Sequence, residues 1–424
     1  MKLLQAFKSI LNITETKKTI SVNISWLLLQ NAVKLVFGLT VSLYLAKYLG
    51  PEDFGVYSYA ISIISVLLLF TNLGIDPILI RELVDNKINK MSLLGSSFAL
   101  KLIGGIIGFI LIGFLGFYYG INSKTGIVIL IMSPIILFKS SSILDSYFQS
   151  KKENKYPSIA NMISIIIGST LIFLFIKLKY KLEYFALLYI IESAILISAL
   201  LFFYLRKIEL QKWIVSKKIS LDILKESWPL IIAGVASIIN TRIDQIYIGS
   251  MLTPSVLGNY SAAAKVSEFW LVLPTILNIV FYPILINLRS LNYNKYKRFL
   301  AGVIICCFCF GIIFSFIVTH FSENIISLLF GNKYNLAGEY LSLYIWSTLP
   351  YFTLFILSNV IYLENLIRKN LLISVISILG NLILNYFFIQ EYGASGAIYA
   401  TLLVGLISYS LIGYYIFNNT KLLK

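Results

Sequence analysis

Long apolar runs, each broken by a short polar and basic cluster, recur along the sequence from about residue 24 onward. A helix needs ~20 mostly apolar residues to cross ~30 Å of hydrocarbon. On that ruler the pattern predicts about twelve spans: 24–48, 56–80, 92–119, 126–147, 158–177, 184–205, 227–251, 258–286, 299–320, 338–362, 369–389 and 394–417. The polar runs RELVDNKINK and QSKKENKYP read as loops after the second and fourth spans, and no connection on the outer side is long enough to hold a domain. The first twenty residues form a short basic amphipathic stretch with no cleavable signal pattern.

Composition agrees with this pattern. The chain is 58% hydrophobic and 13% charged, with a mean hydropathy of +0.85, whereas ordinary soluble domains carry about 25% charged residues. The expected class is an all-α polytopic membrane protein. A net charge of +16 would suit nucleic acid if it were concentrated on one face. Here the basic residues lie in loops between apolar runs, which excludes a nucleic-acid partner and sets orientation instead. With both termini cytoplasmic, 24 Lys and Arg fall on the inner side and 6 on the outer, leaving Lys34, Lys101, Lys139, Arg242 and Lys265 within spans.

The largest inner loop, 206–226, is also the midpoint, so the sequence divides into halves at 1–215 and 216–424. Repeats support the division. Pro51, Gly55, Tyr57, Ser58 and Ala60 recur as Pro254, Gly258, Tyr260, Ser261 and Ala263, a spacing of 203. Pro77–Ile80 recurs as Pro283–Ile286 at 206, and Glu153, Asn154 and Gly168 recur as Glu364, Asn365 and Gly380 at 211 to 212. Each matched span keeps its direction through the bilayer. The expected architecture is therefore two parallel-repeat six-helix bundles around a central cavity.

Charges inside spans are costly and mark polar pathways. The stretch 240–269 places Arg242 and Asp244 near the end of one span and Lys265 and Glu268 near the start of the next. Lys34 and Lys101 add further cations, against Glu192 and Asp145, so the interior is expected to lean positive. A basic lining suits phosphate or another anion, and asparagines such as Asn161, Asn240 and Asn381 suit sugar hydroxyls. Cys306, Cys307 and Cys309 share one apolar run and the single His320 is remote, so no metal site is expected. There is no P-loop. A glycan polymerase or glycosyltransferase would need catalytic groups in a sizeable loop, and none is available.

The stretches LAKYLGPEDFGVYSYAISI with LGIDPILIREL, TRIDQIYIGSMLTPSVLGNYSAAAKVSEF and NLILNYFFIQEYGASGAIYAT occur in this order along essentially the whole chain. Together they resemble the polysaccharide repeat-unit (O-antigen) flippases of the multidrug/oligosaccharidyl-lipid/polysaccharide exporter superfamily. The resemblance implies alternating access by two bundles in the bacterial cytoplasmic (inner) membrane. The implied cargo is an undecaprenyl-diphosphate-linked oligosaccharide for lipopolysaccharide or capsule biosynthesis, moved from the cytoplasmic to the outer leaflet. It implies no catalytic residue and no cofactor beyond a coupling cation, H+ or Na+, with a polysaccharide polymerase and a chain-length regulator as partners beside membrane lipids. On the resemblance, Arg81 joins Lys34, Lys101, Arg242 and Lys265 as basic cavity residues, and Asp244 or Glu268 serves ion coupling. The alternative within the superfamily is a multidrug or cation antiporter, for which an acidic cavity is expected.

Overall fold

The computed structural model describes residues 15–207, 212–364 and 366–420, and every regular element among them is helical. The basic residues of 1–14, together with Lys421 and Lys424, lie outside the described residues. Sixteen α-helices are numbered here in chain order: α1 Glu15–Asn72, α2 Ile75–Asp85, α3 Lys90–Tyr118, α4 Lys124–Met132, α5 Ile135–Phe138, α6 Ile143–Ser150, α7 Lys155–Lys177, α8 Leu182–Lys207, α9 Lys217–Met251, α10 Pro254–Phe269, α11 Val272–Leu291, α12 Tyr293–His320, α13 Ser322–Phe330, α14 Ala337–Leu363, α15 Ile367–Tyr392 and α16 Ala394–Thr420. A single 3-10 turn, Lys139–Ser142, joins α5 to α6.

Eight helical runs among the described residues are long and apolar enough to cross a membrane. The first, Val22–Asp85, contains two of the expected spans in one continuous stretch of 64 residues. The expected spans 227–251, 258–286 and 338–362 are helical but fall outside those eight. In α9 the cause is the cluster Asn240, Thr241, Arg242, Asp244 and Gln245. The 258–286 stretch breaks after Phe269, and a new helix starts at Val272.

Two local devices shape these helices. Gly50 takes φ 74, ψ 173 inside α1, a conformation open to a residue without a side chain. Pro51 follows as a first-turn residue of the next segment, where its missing N–H costs nothing. The chain therefore kinks there and continues. In the expected span 126–147, Pro134 removes a backbone donor, and the hydroxyls of Ser133, Ser140 and Ser141 bond back to the carbonyls of Leu130, Leu137 and Phe138 at 2.6 to 2.7 Å. These bonds compete with the helical ladder, and the span is divided into α4, α5, the 3-10 turn and α6. The run RELVDNKINK is also partly helical, because α2 continues to Asp85 before Asn89 caps α3 through Met91 and Ser92.

The helices form two compact units. One holds Met1–Tyr44 and Leu67–Ile231, the other Leu45–Val66 and Ile232–Lys424. The first packs around Ile75, Leu79, Leu93, Leu144, Phe148 and Leu200. Its connection to α9 is strapped onto α3. The Ile214 N–H donates to the Met91 carbonyl (3.3 Å), the Ser216 N–H donates to Ser96 Oγ (3.0 Å), and Trp213 Nε1 donates to the Tyr204 hydroxyl (3.0 Å). The second unit packs around Leu285, Tyr296, Leu300, Leu357, Val360 and Ile416, with Cys307 as one more small apolar side chain. Large apolar side chains such as Phe114, Phe117, Ile305, Phe316 and Phe387 are exposed, as helices bathed in lipid require.

The repeated motif meets itself within the second unit. A Cβ on Gly55 would lie 1.8 Å from the Pro254 carbonyl oxygen, and one on Gly258 would lie 1.8 Å from the Pro51 carbonyl oxygen. The two helix starts thus cross backbone on backbone, the close approach that small residues permit between membrane helices.

Candidate substrate cavities

Each unit holds a cavity with polar groups in its wall between its own helices. In the first unit a cavity of about 390 Å³ is lined by Lys34 of α1, Lys139 of the 3-10 turn, Asp145 of α6, Asn161 of α7 and Glu192 of α8, with Ser142, Ser164, Ser169 and Ser193 between them. Gly168 lets Glu192 lie flat against α7, since a Cβ there would come within 3.1 Å of its Cγ. No two of these four charged groups form an ion pair.

In the second unit a cavity of about 570 Å³ is lined by Asn240, Thr241 and Arg242 of α9, Glu268 of α10, Tyr344, Ser347, Thr348 and Tyr351 of α14, Asn370, Ser374 and Ser377 of α15, and Thr401 and Ser408 of α16. Leu271, Leu354, Ile373 and Ile412 add apolar side chains to the wall, and its polar side chains are mostly hydroxyls and amides, with one cation and one carboxylate among them. Asn240 is held from behind, accepting from Asn381 Nδ2 at 2.7 Å and from Ser377 Oγ at 3.3 Å.

Of the seven residues named from the sequence for cargo binding or ion coupling, Lys34, Arg242 and Glu268 line a cavity. The others stand elsewhere. Arg81 is exposed and bonded to Glu82 and Glu226. Lys101 is wholly buried, with its Nζ 2.6 Å from Asp76 Oδ1 and 2.7 Å from Ser142 Oγ. Asp76 lies within the expected span 56–80 and supplies the countercharge that the charge count along the sequence omits. Lys265 is half-buried on α10, outside the residues that line the cavity. Asp244 is 5% exposed and engaged at both oxygens: Oδ1 accepts from the Gln245 N–H (2.7 Å) and Oδ2 from the Tyr260 hydroxyl. Gln245 in turn accepts from Ser62 Oγ at 2.8 Å, so Asp244 sits in a network that ties α1, α9 and α10 together.

In each of these two cavities the lining charges balance. Lys34 and Lys139 are matched by Asp145 and Glu192 in one, and Arg242 by Glu268 in the other. The sequence shows that Lys139, Asp145 and Glu192 lie inside spans. It does not show which way the broken helix that carries Lys139 and Asp145 turns, and that turn brings both to the cavity that Glu192 of α8 lines.

Comparison with known proteins gives a consistent picture. The family described as polysaccharide biosynthesis protein matches residues 20–289. The capsular polysaccharide biosynthesis protein CapF of Staphylococcus aureus is 25% identical over 412 residues, covering 91% of this chain and 97% of that protein. Among solved structures, lipid II flippase MurJ in an inward closed conformation superposes with a TM-score of 0.73 at 20% identity, covering 92% of this chain and 86% of that one. An inward-facing multidrug resistance transporter of the MATE family, in the MOP superfamily, gives 0.60 at 12% identity, covering 92% and 96%. With a family match over well more than half its length, the chain belongs to the polysaccharide biosynthesis protein family, and its membrane-length helices share the fold of these flippase and multidrug transporter structures.

Proposed function

We propose that the protein is a flippase that carries an undecaprenyl-diphosphate-linked oligosaccharide, an O-antigen or capsule repeat unit, from the cytoplasmic to the outer leaflet by alternating access. The observation that carries this reading is the wall of the second unit's cavity. Hydroxyls and amides from α9, α14, α15 and α16 surround a single guanidinium there. Such groups exchange hydrogen bonds with water for hydrogen bonds with sugar hydroxyls at little net cost, and Arg242 offers a fork suited to phosphate or carboxylate. The likeness to a capsular polysaccharide protein and to a lipid II flippase supports the same cargo class.

In this reading Arg242 and Lys34 meet the anionic part of the cargo, Lys101 holds the first unit together, and Arg81 and Lys265 stay outside cargo binding. Glu268 is the carboxylate we assign to coupling with a proton or sodium gradient, ahead of Asp244, whose oxygens are already engaged. The repeat halves 1–215 and 216–424 move as the alternating elements. Both termini face the cytoplasm across the bacterial inner membrane, where a polymerase and a chain-length regulator receive the product.

Deleting the gene and restoring it as wild type or as Arg242→Ala tests the reading. The expected result is loss of surface glycan in the deletion and in the variant, with the variant present in the membrane at wild-type level. The carboxylates Asp145, Glu192 and Glu268 favour a second reading, a cation antiporter. That reading would instead show as lost resistance to cationic dyes with surface glycan intact.

A further inference from the structure

The direction in which Asn240 presents its amide can be deduced. Asn385 is fully buried, and its Nδ2 donates to the main-chain carbonyl of Asn381 at 2.9 Å. A carbonyl only accepts, so Asn385 must turn its nitrogen toward Asn381. The same nitrogen reaches Asn381 Oδ1 at 3.5 Å, and Asn381, 3% exposed, therefore faces Asn240 with its own Nδ2, 2.7 Å from Asn240 Oδ1. Ser377 Oγ donates to that oxygen as well. Asn240 is left with its oxygen spent inside the protein and its NH₂ on the cavity wall, two residues from Arg242, whose guanidinium forms no ion pair.

We propose that Asn240 and Arg242 form a donor-only subsite that takes an acceptor-only group of the sugar, an acetamido carbonyl or a uronate carboxylate, and so selects which oligosaccharide is carried. This inference rests on the flippase reading and adds the feature of the cargo that is recognised. A hydroxyl both donates and accepts, and the serines and threonines around the cavity serve it from any side. Asn240 and Arg242, by contrast, offer only N–H groups, and the Thr241 hydroxyl between them turns back to donate to the Ser237 and Ile238 carbonyls. A site built around such donors discriminates strongly against a partner that cannot satisfy them.

The test uses the full-length protein in proteoliposomes with three undecaprenyl-diphosphate disaccharides that differ only in a terminal glucose, N-acetylglucosamine or glucuronic acid. Wild type is expected to move the last two at least ~10-fold faster than the first, the size of step that one good hydrogen-bonding contact supplies. Asn240→Asp keeps the oxygen that accepts from Asn381 and Ser377 but turns the cavity-facing donor into a charged acceptor. It should lose the acetamido preference and reject the uronate outright. Asn381→Asp, a residue behind the wall, removes the donor that orients Asn240. It should lower acetamido and uronate transport through the released amide and spare glucose. If both variants slow all three substrates equally, or neither changes the ratios, the subsite is overturned while the flippase reading stands. If wild type moves none of the three, the flippase reading falls and the subsite with it.

Discussion

Gly55 and Gly258 each lie beneath the backbone carbonyl that opens the other's helix, Pro254 over the first and Pro51 over the second. The two residues are counterparts in the internal repeat, so the duplicated segment packs against its own copy. An alanine at either position would place a Cβ 1.8 Å from an oxygen, and the helices would have to separate. Overpacking of a well-fitted contact costs about 1 to 3 kcal/mol, and here the obstacle is main chain that has no rotamer to yield. Gly55→Ala and Gly258→Ala should each lower the melting temperature of the purified protein markedly. Gly38→Ala and Gly113→Ala, with nothing within 4 Å of the added carbon, should be neutral or slightly stabilising. Equal melting temperatures across the four would refute the crossing.

The buried pair Lys101 and Asp76 gives an ordered expectation. Lys101 is 0% exposed and Asp76 is 37% exposed at the side chain. Removing the acid strands a charge that cannot reach water, at about 3 to 5 kcal/mol. Removing the base leaves an acid that water can still solvate. Asp76→Asn should therefore destabilise the protein more than Lys101→Met, and the double variant should recover part of the loss. The order of thermal unfolding midpoints in detergent decides it, and the reverse order would count against the pairing.

The two acids of the 240–269 stretch should separate in their phenotypes. Tyr260→Phe and Asp244→Asn disturb a buried network among α1, α9 and α10, and should act on stability, by about 1 to 3 kcal/mol for an orphaned buried polar group. Glu268→Gln changes a cavity group that forms no ion pair, and should leave stability near wild type while abolishing the response of flipping to an imposed proton or sodium gradient. Flipping assays in vesicles with and without the gradient, beside melting curves, distinguish the two. A gradient response intact in Glu268→Gln and lost in Asp244→Asn would reverse the assignment.

The contact between Arg81 and Glu226 should matter little. Both side chains are more than half exposed, at 54% and 51%, and exposed pairs contribute between nothing and about 1 kcal/mol. Arg81→Ala is expected to keep surface glycan and thermal stability near wild type. A complete loss of glycan with normal protein level would return Arg81 to the cargo path that the family resemblance assigns it.

These cases show where sequence was informative. The Gly50–Pro51 kink, the basic loops and the repeat could be read directly, because glycine, proline and charge act on the neighbouring backbone and on the membrane without reference to distant residues. The break after Phe269 has one such signal, Pro274 in the first turn of the helix that restarts at Val272. Pairing of charges was hidden: Asp76 and Lys101 are 25 positions apart on different helices, and only packing brings them together. The same holds for Lys139 and Asp145, whose span was evident but whose facing depends on how the serine-rich break around residue 140 turns the chain. Arg242 and Glu268 were found because they fall within a short polar stretch in an otherwise apolar region.

The strap of residues 212–216 along α3 bears on how the molecule can be divided. A genetic cut placed by sequence symmetry at 215/216 runs through it and separates the N–H of Ser216 from the hydroxyl of Ser96. Two co-expressed fragments should reassemble better when the break falls just beyond Ser216, so that the strap is synthesised with the helix it covers. The connection between the halves is thus less a free tether than a fixed part of the first one.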